Sequence, residues 1–347
     1  MNVRIRFMVL FAILSVQAGC GVNRDAEVAR IFADYQGVDT PGAAVLVIQD
    51  GEAILTGTYG QARLEDDTPV NSASNFRLAS VTKQFTAMSI LMLVERGKFG
   101  LEDTLYDVFP GFPEFAKDIT VINLLQHTSG LLDYEDFVPS DSPTQVHDSD
   151  VLEMMKSTDH TYFVPGSEYR YSNSGYAVLA MMVEKFSGLS FPEFLEENIF
   201  DPVGMTNTVA FVDGVNEVPH RAYGYTVGAD KIENTDQSPW SAVLGDGGIY
   251  SSLDDLYRWD QALYTDDLVS SEMLEKSWTP HFENYGFGWR IDTYKGRKRY
   301  HHSGGTSGFR NYIERFPDEQ LTIIVLTNRA DPEVGPLAEQ IADLYLQ

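Results

Sequence analysis

The sequence predicts an α/β (α+β) protein in which an antiparallel sheet, built from both ends of the chain and flanked by helices, carries a mainly helical inserted lobe. Strand character is concentrated near the two ends, at 43–59 and 285–327, while the stretch between shows helical periodicity interrupted by Pro- and Gly-rich loops. With 347 residues and 43% hydrophobic composition, the chain can build a large core, as one domain or two closely packed ones.

The N-terminus is typical of a signal peptide over residues 1–19, because Arg4 and Arg6 precede an apolar stretch too short to span a bilayer. Cys20, the only cysteine in the sequence, follows an Ala-Gly pair and resembles the acylated cysteine of a bacterial lipoprotein, although glutamine stands where leucine is usual. We therefore expect an exported bacterial protein, periplasmic or membrane-anchored through lipid on Cys20. Secretion without an anchor is the alternative, and palmitate labelling of Cys20 separates the two.

The mature chain is predicted to begin with a helix and two strands. Residues 26–35 place their apolar side chains on one helical face. The apolar runs 43–48 and 53–59 are joined through Asp50 and Gly51, and an Asp-Gly pair favours a type I′ hairpin turn because both residues tolerate positive φ.

Helices are predicted through the middle of the chain, and strands return towards its end. The run after Thr82 is apolar on most sides, which indicates a buried helix, and Ser252 is a good N-cap for a later one. The predicted helices are 82–96, 121–125, 174–186, 192–199, 254–263 and 336–346, and the predicted strands are 285–291, 299–302, 309–316 and 321–327. They suggest a single unit over 25–347, with a sheet lobe of 25–60 and 248–347 and a helical lobe of 61–247.

Ser80 and Lys83 are the first candidate functional pair. Three residues apart on a helix, their side chains share a face, which places an amine beside a hydroxyl. A serine hydroxyl is a poor nucleophile near neutral pH without a base in reach, and a buried lysine amine can serve as that base. The alternative is a helix N-cap followed by a solvated lysine, but the apolar run after Lys83 favours burial.

Tyr171 and Asn173 form the second candidate group, in a loop between predicted helices. Two residues apart in an extended segment, their side chains leave on the same side. A phenol can relay a proton, and an amide can hold both a lysine and a substrate carbonyl. The alternative is a loop of surface tyrosines in which Asn173 caps the next helix.

The third group contains His302, Gly304 and Gly305. Two glycines after a strand allow another backbone or a ligand to approach closely. The adjacent His301 and His302 could suggest a metal, but successive strand residues point to opposite faces and the sequence has no second cluster with metal-ligand spacing. We therefore expect no metal site.

The three patterns, Ser-x-x-Lys, Tyr-x-Asn and His-x-Gly, each occur once and in this order. Together they resemble the serine hydrolases of the class C β-lactamase and D-alanyl-D-alanine carboxypeptidase family, which includes esterases and D-aminopeptidases. The resemblance covers nearly the whole mature chain and extends to residues 75–80, 124–131, 165–166, 247–248 and 285–289 and to the final strand pair. It implies a β-lactamase/transpeptidase-like fold and a serine hydrolase that needs no cofactor and cleaves a D-alanyl peptide, a small ester or a β-lactam.

The resemblance also assigns roles. Ser80 would be the nucleophile that forms an acyl-enzyme, Lys83 would activate it, and Tyr171 would shuttle the proton to the leaving group. The backbone amides of Ser80 and Gly305 would hold the oxyanion, and Asn173 would position Lys83 and the substrate. The expected substrate-binding residues are Asn173, His302, Gly304 and Gly305.

The third group departs from the penicillin-converting relatives, which commonly have lysine where this chain has His302. A histidine is mostly neutral at about pH 7, so a carboxylate-bearing β-lactam should bind weakly unless Arg310 or another cation substitutes. Histidine is typical of the peptidase and esterase relatives, so we expect hydrolysis of a peptide or ester rather than efficient β-lactam hydrolysis. His127, at the end of a predicted helix, is expected to pack and cap rather than catalyse.

The formal charge of -26 argues against nucleic acid or anionic lipid as a partner. We expect a small-molecule or peptide substrate, such as one derived from peptidoglycan. Two alternatives stay open: a non-catalytic, penicillin-binding-like sensor or binding protein on the same fold, and a zinc hydrolase that uses His301 and His302. The residues alone do not separate esterase, peptidase and β-lactamase, because the loops 133–149 and 213–238 set the shape of the pocket.

Overall fold

The computed structural model describes residues 23–346. The predicted signal peptide and Cys20 lie outside these residues, so export and lipidation stay predictions. Among the helices within 23–346, none is both long and apolar enough to cross a membrane.

A six-stranded antiparallel sheet is the centre of the fold, and both ends of the chain contribute strands to it, as the sequence predicts. In spatial order its strands are β10 (Arg290–Tyr294), β11 (Arg297–Thr306), β12 (Phe309–Phe316), β13 (Leu321–Thr327), β1 (Ala43–Gln49) and β2 (Glu52–Tyr59). The pairing of β1 with β13, which sets Ala43 opposite Thr327, joins the two ends of the chain.

Local sequence explains the turns of this sheet. Asp50 and Gly51, between β1 and β2, have φ angles of 51° and 79°, as a type I′ turn requires. The observed bounds of β12 and β13 are those that the sequence predicts, because two apolar runs are separated by a short turn that begins at Pro317.

The predicted strand 285–291 is wrong in its bounds. β10 begins only at Arg290, and Tyr285 contributes an isolated bridge to Arg290. Gly288 has a φ of 73° and lies so close to the neighbouring backbone that a Cβ there would be 2.6 Å from the carbonyl oxygen of Lys83. The segment before β10 therefore turns across the buried helix that follows Ser80.

Helices cover both faces of the sheet and build most of the inserted lobe. Every residue of α2 from Lys83 to Leu93 is buried, which confirms the expectation for this segment. The helices are α1 (Arg24–Ile31), α2 (Lys83–Glu95), α3 (Leu105–Val108), α4 (Val121–Leu125), α5 (Asp148–Lys156), α6 (Asn173–Ser187), α7 (Phe191–Leu195), α8 (Asp201–Val203), α9 (Leu244–Gly247), α10 (Leu253–Ala262), α11 (Ser271–Ser277) and α12 (Gly335–Tyr345).

The side chains of β1 point alternately into two hydrophobic cores, one on each face of the sheet. Val45 and its odd-numbered neighbours pack in a core with residues of α1 and α12, whereas Leu46 and its even-numbered neighbours pack in a larger core that includes α2 and α10. In the larger core Trp259 of α10 stacks on Phe85 of α2, with 4.2 Å between ring centroids. Ser252 caps α10 as predicted, since its hydroxyl accepts from the Asp255 amide.

Two predicted helices have different bounds. The helix expected over 26–35 is α1 followed by a 3-10 turn, and the helix expected over 192–199 is α7 followed by a π turn and α8. The 3-10 and π turns are Ala33–Tyr35, Ala79–Thr82, Glu114–Asp118, Tyr134–Phe137, Glu196–Phe200, Phe282–Asn284 and Pro317–Glu319.

Short strands, which the sequence did not predict, brace the inserted lobe. They are β3 (Gln61–Arg63), β4 (Thr68–Pro69), β5 (Phe76–Arg77), β6 (Val209–Ala210), β7 (Tyr225–Val227), β8 (Ile232–Asn234) and β9 (Ile249–Ser251). The strands β5, β9 and β6 form a small sheet that ties the chain just before Ser80 to the chain just after α9. This contact positions the start of α2.

Candidate active site

The hydroxyl of Ser80 and the amine of Lys83 are in hydrogen-bond contact, with Lys83 Nζ 3.2 Å from Ser80 Oγ. Ser80 lies in the 3-10 turn Ala79–Thr82, and α2 begins at Lys83 rather than at the predicted Thr82. Side chains three residues apart eclipse one another in a 3-10 turn, so the pair meets although the turn is not α-helical.

Lys83 is fully buried, and all of its hydrogen-bond acceptors are neutral. Besides Ser80 Oγ, its Nζ donates to Asn173 Oδ1 at 2.9 Å and to the carbonyl oxygen of Asp246 at 2.8 Å. These acceptors come from α6 and α9, far from Lys83 in sequence. Tertiary contacts therefore hold the amine against the serine hydroxyl.

The backbone just before the serine is strained. Ala79 has a φ of 49°, in the left-handed region that non-glycine residues rarely adopt. Gly247 packs against it, since a Cβ on Gly247 would lie 3.5 Å from Ala79 Cα. Strain of this kind is found at functional sites where the surrounding structure over-determines the backbone.

Tyr171 lies beside the lysine. Lys83 Nζ is 4.9 Å from the centroid of its ring, and Tyr171 Oη is buried without a hydrogen-bond partner among residues 23–346. The phenol hydroxyl is therefore free to bond a substrate atom or a water molecule.

Asn173 is the first residue of α6 and does not cap it. The cap is Ser172, whose Oγ accepts from the Gly175 amide at 3.1 Å, so the alternative that Asn173 serves as the cap is wrong. The side-chain amide of Asn173 accepts from Lys83 and donates to Glu135 Oε1 at 2.9 Å. This side chain therefore links the lysine to an exposed carboxylate.

His302 is a buried, neutral side chain. Its Nδ1 lies 2.6 Å from the Ser303 carbonyl oxygen, which only accepts, so Nδ1 carries the proton and Nε2 accepts from Tyr285 Oη at 2.9 Å. Burial, with a smaller contribution from Lys83, lowers the pKa of His302 well below its usual value. This histidine therefore supplies no positive charge near pH 7.

Gly304 and Gly305 differ in what they approach. A Cβ on Gly304 would lie 2.1 Å from the Leu78 carbonyl oxygen, so this glycine lets the sheet edge contact the backbone before Ser80. Gly305 is exposed and lines the cleft instead. The sequence predicted that these glycines allow a backbone or a ligand to approach closely. Gly304 lies against the backbone of Leu78, whereas Gly305 faces the cleft.

A cleft with a volume of about 80 Å³ brings Ser80, Asn173 and Gly305 together. Lys83, Tyr171, His302 and Gly304 are not part of its lining, and they join the site through the contacts described above. The lining residues are Arg77, Ala79, Ser80, Tyr134, Glu135, Asn173, Ser238, Trp240, Asp246, Gly247, Gly305 and Thr306. A more open groove of about 650 Å³ lies on the helical lobe between Leu132 and His160 and contains none of the predicted site residues.

Asp246 and Tyr134 are site residues that the sequence reasoning missed. Tyr134 Oη donates to Asp246 Oδ2 at 3.0 Å, and burial raises the pKa of Asp246 to about 6 although Lys83 opposes this shift. In the sequence, Asp246 could have been found from its position directly before the Gly247-Gly248 pair. Tyr134 and Glu135 lie in one of the loops expected to shape the pocket.

Arg310 is the cation that the sequence suggested as a substitute for lysine. It lies beside Gly305, where a Cβ would be 3.5 Å from Arg310 Nη1. Its Nε donates to Glu333 at 2.8 Å, and its Nη1 donates to backbone carbonyls of Thr306 and Phe309. The nearest candidate cation beside Gly305 is thus already paired.

The adjacent histidines point to opposite faces of the sheet, as the strand period predicts. His301 contacts Tyr312 Oη and Asp292, whereas His302 contacts Tyr285 on the side of the cleft. Within residues 23–346 no group of three or more His, Cys, Asp or Glu side chains is arranged to hold a metal ion.

Fold and cleft together define a protein of the β-lactamase and penicillin-binding-protein fold. The family model described as Beta-lactamase matches residues 28–346, so the chain belongs to this family.

Relatives agree with that assignment. Penicillin-binding protein 4* of Bacillus subtilis (strain 168) is 35% identical over 308 residues, which cover 83% of this chain and 68% of the relative. A D-aminopeptidase of Brucella anthropi is 28% identical over 88% of this chain, and this chain spans only 58% of that relative's length.

Solved structures agree on the fold. The octameric penicillin-binding protein homologue from Pyrococcus abyssi superposes with a TM-score of 0.83 at 25% identity, covering 93% of this chain and 76% of that one. D-amino acid amidase from Ochrobactrum anthropi SV3, complexed with D-phenylalanine, superposes with a TM-score of 0.81 at 21% identity, covering 93% and 99%. At this lower identity the likeness concerns the fold alone.

Proposed function

We propose that this protein is a serine hydrolase that cleaves an amide or ester through an acyl-enzyme on Ser80. The observation that carries the proposal is the 3.2 Å contact between Ser80 Oγ and the amine of the fully buried Lys83. A nucleophile and a base within hydrogen-bond reach, with the base oriented by a further group, are the requirements of covalent catalysis. Here Asn173 Oδ1 is the orienting group.

The proposed steps combine these contacts with the roles that the family resemblance assigns. Ser80 Oγ forms a bond to the substrate carbonyl carbon while its proton passes to Lys83 Nζ, which lies within hydrogen-bond reach. The backbone amides of Ser80 and Gly305 hold the oxyanion that develops. Tyr171 Oη, which has no partner among residues 23–346, passes a proton to the leaving amine or alcohol as the carbon–leaving-group bond breaks. Water then attacks the acyl-enzyme and releases an acid and free Ser80.

The substrate class that the site supports is a peptide or ester rather than a β-lactam. His302 is neutral, and Arg310 is paired with Glu333, so neither residue offers a free positive charge to a substrate carboxylate beside Gly305. Arg77 also lines the cleft, but it is buried and its guanidinium donates to the carbonyl oxygens of Ser241 and Gly247. The matched relatives, named as penicillin-binding proteins and D-aminopeptidases, support hydrolase chemistry in general and do not choose among substrates.

Intact-protein mass spectrometry tests the proposal. Wild type and the Ser80→Ala variant are exposed briefly to p-nitrophenyl acetate, a fluorescent penicillin and a D-alanyl peptide, and adducts and products are followed over time. We expect an adduct or turnover that requires Ser80, with faster turnover of ester or peptide than of penicillin. Ser89→Ala, which changes a buried serine within α2, is the matched control and should behave as wild type.

Each result separates the candidates. A penicillin adduct that forms and never releases, without turnover of ester or peptide, indicates the sensor or binding protein. Rapid penicillin hydrolysis contradicts the proposed substrate class. The absence of any adduct or product in folded wild type with all three reagents contradicts the proposal as a whole.

A further inference from the structure

His127 ties down the backbone on both sides of Tyr171. The amide of Arg170 donates to the His127 carbonyl oxygen at 3.0 Å, and the amide of Ser172 donates to His127 Nδ1 at 3.0 Å. One residue therefore holds the peptide group between Tyr169 and Arg170 and the peptide group that follows Tyr171.

The imidazole also packs directly against the phenol. The ring centroids of His127 and Tyr171 are 4.2 Å apart, and Lys83 Nζ is 4.9 Å from the same phenol ring. Tyr285, whose hydroxyl bonds His302, lies 4.4 Å from His127 between ring centroids. His127 is thus packed against the ring of Tyr171 and the ring of Tyr285.

Packing alone does not account for a histidine at this position. His127 is fully buried, and because Nδ1 accepts from Ser172, the proton of the neutral ring resides on Nε2. Nε2 has no hydrogen-bond partner among residues 23–346, which is costly for a buried polar atom. A leucine would fill similar space without that cost, but it would leave the Ser172 amide without its acceptor.

The backbone of His127 supports the same arrangement. Its φ of 59° is left-handed, a conformation that histidine and asparagine adopt more readily than most residues. Burial also lowers the pKa of His127 well below its usual value, so Nδ1 keeps its lone pair in the neutral pH range.

We infer that His127 is a positioning residue for Tyr171: its Nδ1 and its carbonyl oxygen clamp the 170–172 backbone so that Tyr171 Oη faces the reacting atoms. The inference rests on the proposed function, since it assigns a cause to the placement of the phenol in that reaction. A small displacement of a proton-transferring group slows the chemical step much more than it weakens substrate binding.

Two variants of His127 distinguish the role of Nδ1 as a hydrogen-bond acceptor from the packing of the imidazole ring. In His127→Asn the side-chain oxygen can take the place of Nδ1, and asparagine tolerates positive φ. In His127→Gln the amide extends towards the place of Nε2, which leaves the Ser172 amide without an acceptor. The matched control is His220→Gln, because His220 is exposed and also has a positive φ, of 48°.

Acylation and turnover are measured with the D-alanyl peptide, because its leaving amine needs a proton, whereas p-nitrophenolate leaves without one. We expect kcat to fall about 10- to 100-fold in His127→Gln with little change in KM, whereas His127→Asn should stay within about fivefold of wild type and His220→Gln should match wild type. Equal losses of kcat in the Asn and Gln variants, or a loss confined to KM, would overturn the inference.

Amide hydrogen exchange supplies a readout that does not depend on activity. The Ser172 amide should be protected in wild type and in His127→Asn and should exchange faster in His127→Gln, with a change in the Tyr171 ring resonances. If wild type shows no hydrolysis, the proposed function fails while this comparison still decides the positioning role. If the Gln variant does not fold, a Ser172 amide that exchanges freely in wild type overturns the inference, and a protected amide in both wild type and the Asn variant supports it.

Discussion

Two buried basic side chains on opposite faces of the central sheet have different kinds of hydrogen-bond partner. Lys83, at the start of α2, bonds three neutral oxygens and no carboxylate group. Arg299, on β11, bonds the carboxylates of Asp292, Glu314 and Glu339 at 2.8 to 3.1 Å. The first side chain lies against a serine hydroxyl, and the second lies between the sheet and α12.

The difference teaches which charge serves stability and which is available for chemistry. Burial alone would lower the pKa of Arg299, but hydrogen bonds to Asp292 and its other carboxylate partners outweigh burial and raise it, so this residue is held as a cation. Lys83 has no such counter-charge among its hydrogen-bond partners. A paired buried charge resists change, whereas a buried amine bonded to neutral groups can take part in proton transfer.

The adjacent histidines repeat the contrast on one strand. His301 faces the Arg299 cluster, and burial together with Arg299 lowers its pKa to about 4. His302 faces the cleft and accepts from Tyr285. Both rings are neutral near pH 7, but only His302 is placed among the candidate catalytic groups.

The Lys83→Met variant gives the largest expected effect. Because it removes the base while keeping the apolar stem, kcat/KM for a turned-over ester should fall about 10⁴-fold. The free energy of unfolding, measured with urea, should change by less than about 2 kcal/mol, since none of the hydrogen bonds that the variant removes joins Lys83 to a carboxylate. A large loss of stability at nearly normal activity would contradict the contrast drawn with Arg299, because it would show that Lys83 is a structural residue.

Arg299→Met should have the opposite result. It leaves the acidic cluster of Asp292, Glu314 and Glu339 without the guanidinium that these residues share and should lower the free energy of unfolding by about 3–5 kcal/mol, while kcat/KM of the folded fraction stays within about threefold. Arg30→Met is the matched control, because Arg30 is exposed and, within residues 23–346, forms an ion pair with Glu27 alone, so its removal should cost less than about 1 kcal/mol. Similar costs for the two arginines would contradict the role assigned to the buried cluster.

The smallest expected effect is a pH dependence of stability that originates at Glu314. Burial raises the pKa of Glu314 to about 8, although Arg299 opposes this shift. The folded state therefore keeps the proton longer than the unfolded chain. The resulting stabilisation is complete below the unfolded pKa near 4.5 and is lost as pH rises through 8.

The Glu314→Gln variant isolates this contribution, since glutamine does not titrate. Between pH 5.5 and 8.5 the unfolding free energy of wild type should fall relative to the variant by about 2 kcal/mol. Asp148 and Asp246, whose pKa values are raised to about 7 and about 6 by burial, titrate in the same range and are common to both proteins. Parallel pH curves for the two proteins would show that Glu314 is ionised throughout.

Local sequence was sufficient for much of the fold and for the identity of the reacting pair. Apolar runs bounded by turn residues predicted β12 and β13 to the residue, and the three-residue spacing of Ser80 and Lys83 predicted their contact. The strand expected at 285 failed because Gly288 packs against the backbone of Lys83, a contact between distant segments that no local pattern contains.

The candidate site was predictable only in part, for the same reason. The carbonyl group of Asp246 is 163 residues from the lysine that it binds, and its position depends on how α9 packs near α2. The clamp of His127 on the Tyr171 backbone likewise joins residues 45 positions apart. The sequence predicted a proton-transfer role for Tyr171, but for His127 it predicted only packing and capping.

The sequence by itself determined which chemical groups are present and the order in which they occur, since residue spacing and apolar periodicity are local properties of the chain. Only the tertiary structure decided which buried charges are neutralised: Arg299 meets three carboxylates, and Lys83 meets none among its bonded partners. The physical reason is that burial and pairing depend on contacts between distant segments, and these contacts decide whether a buried group is held inert or can react.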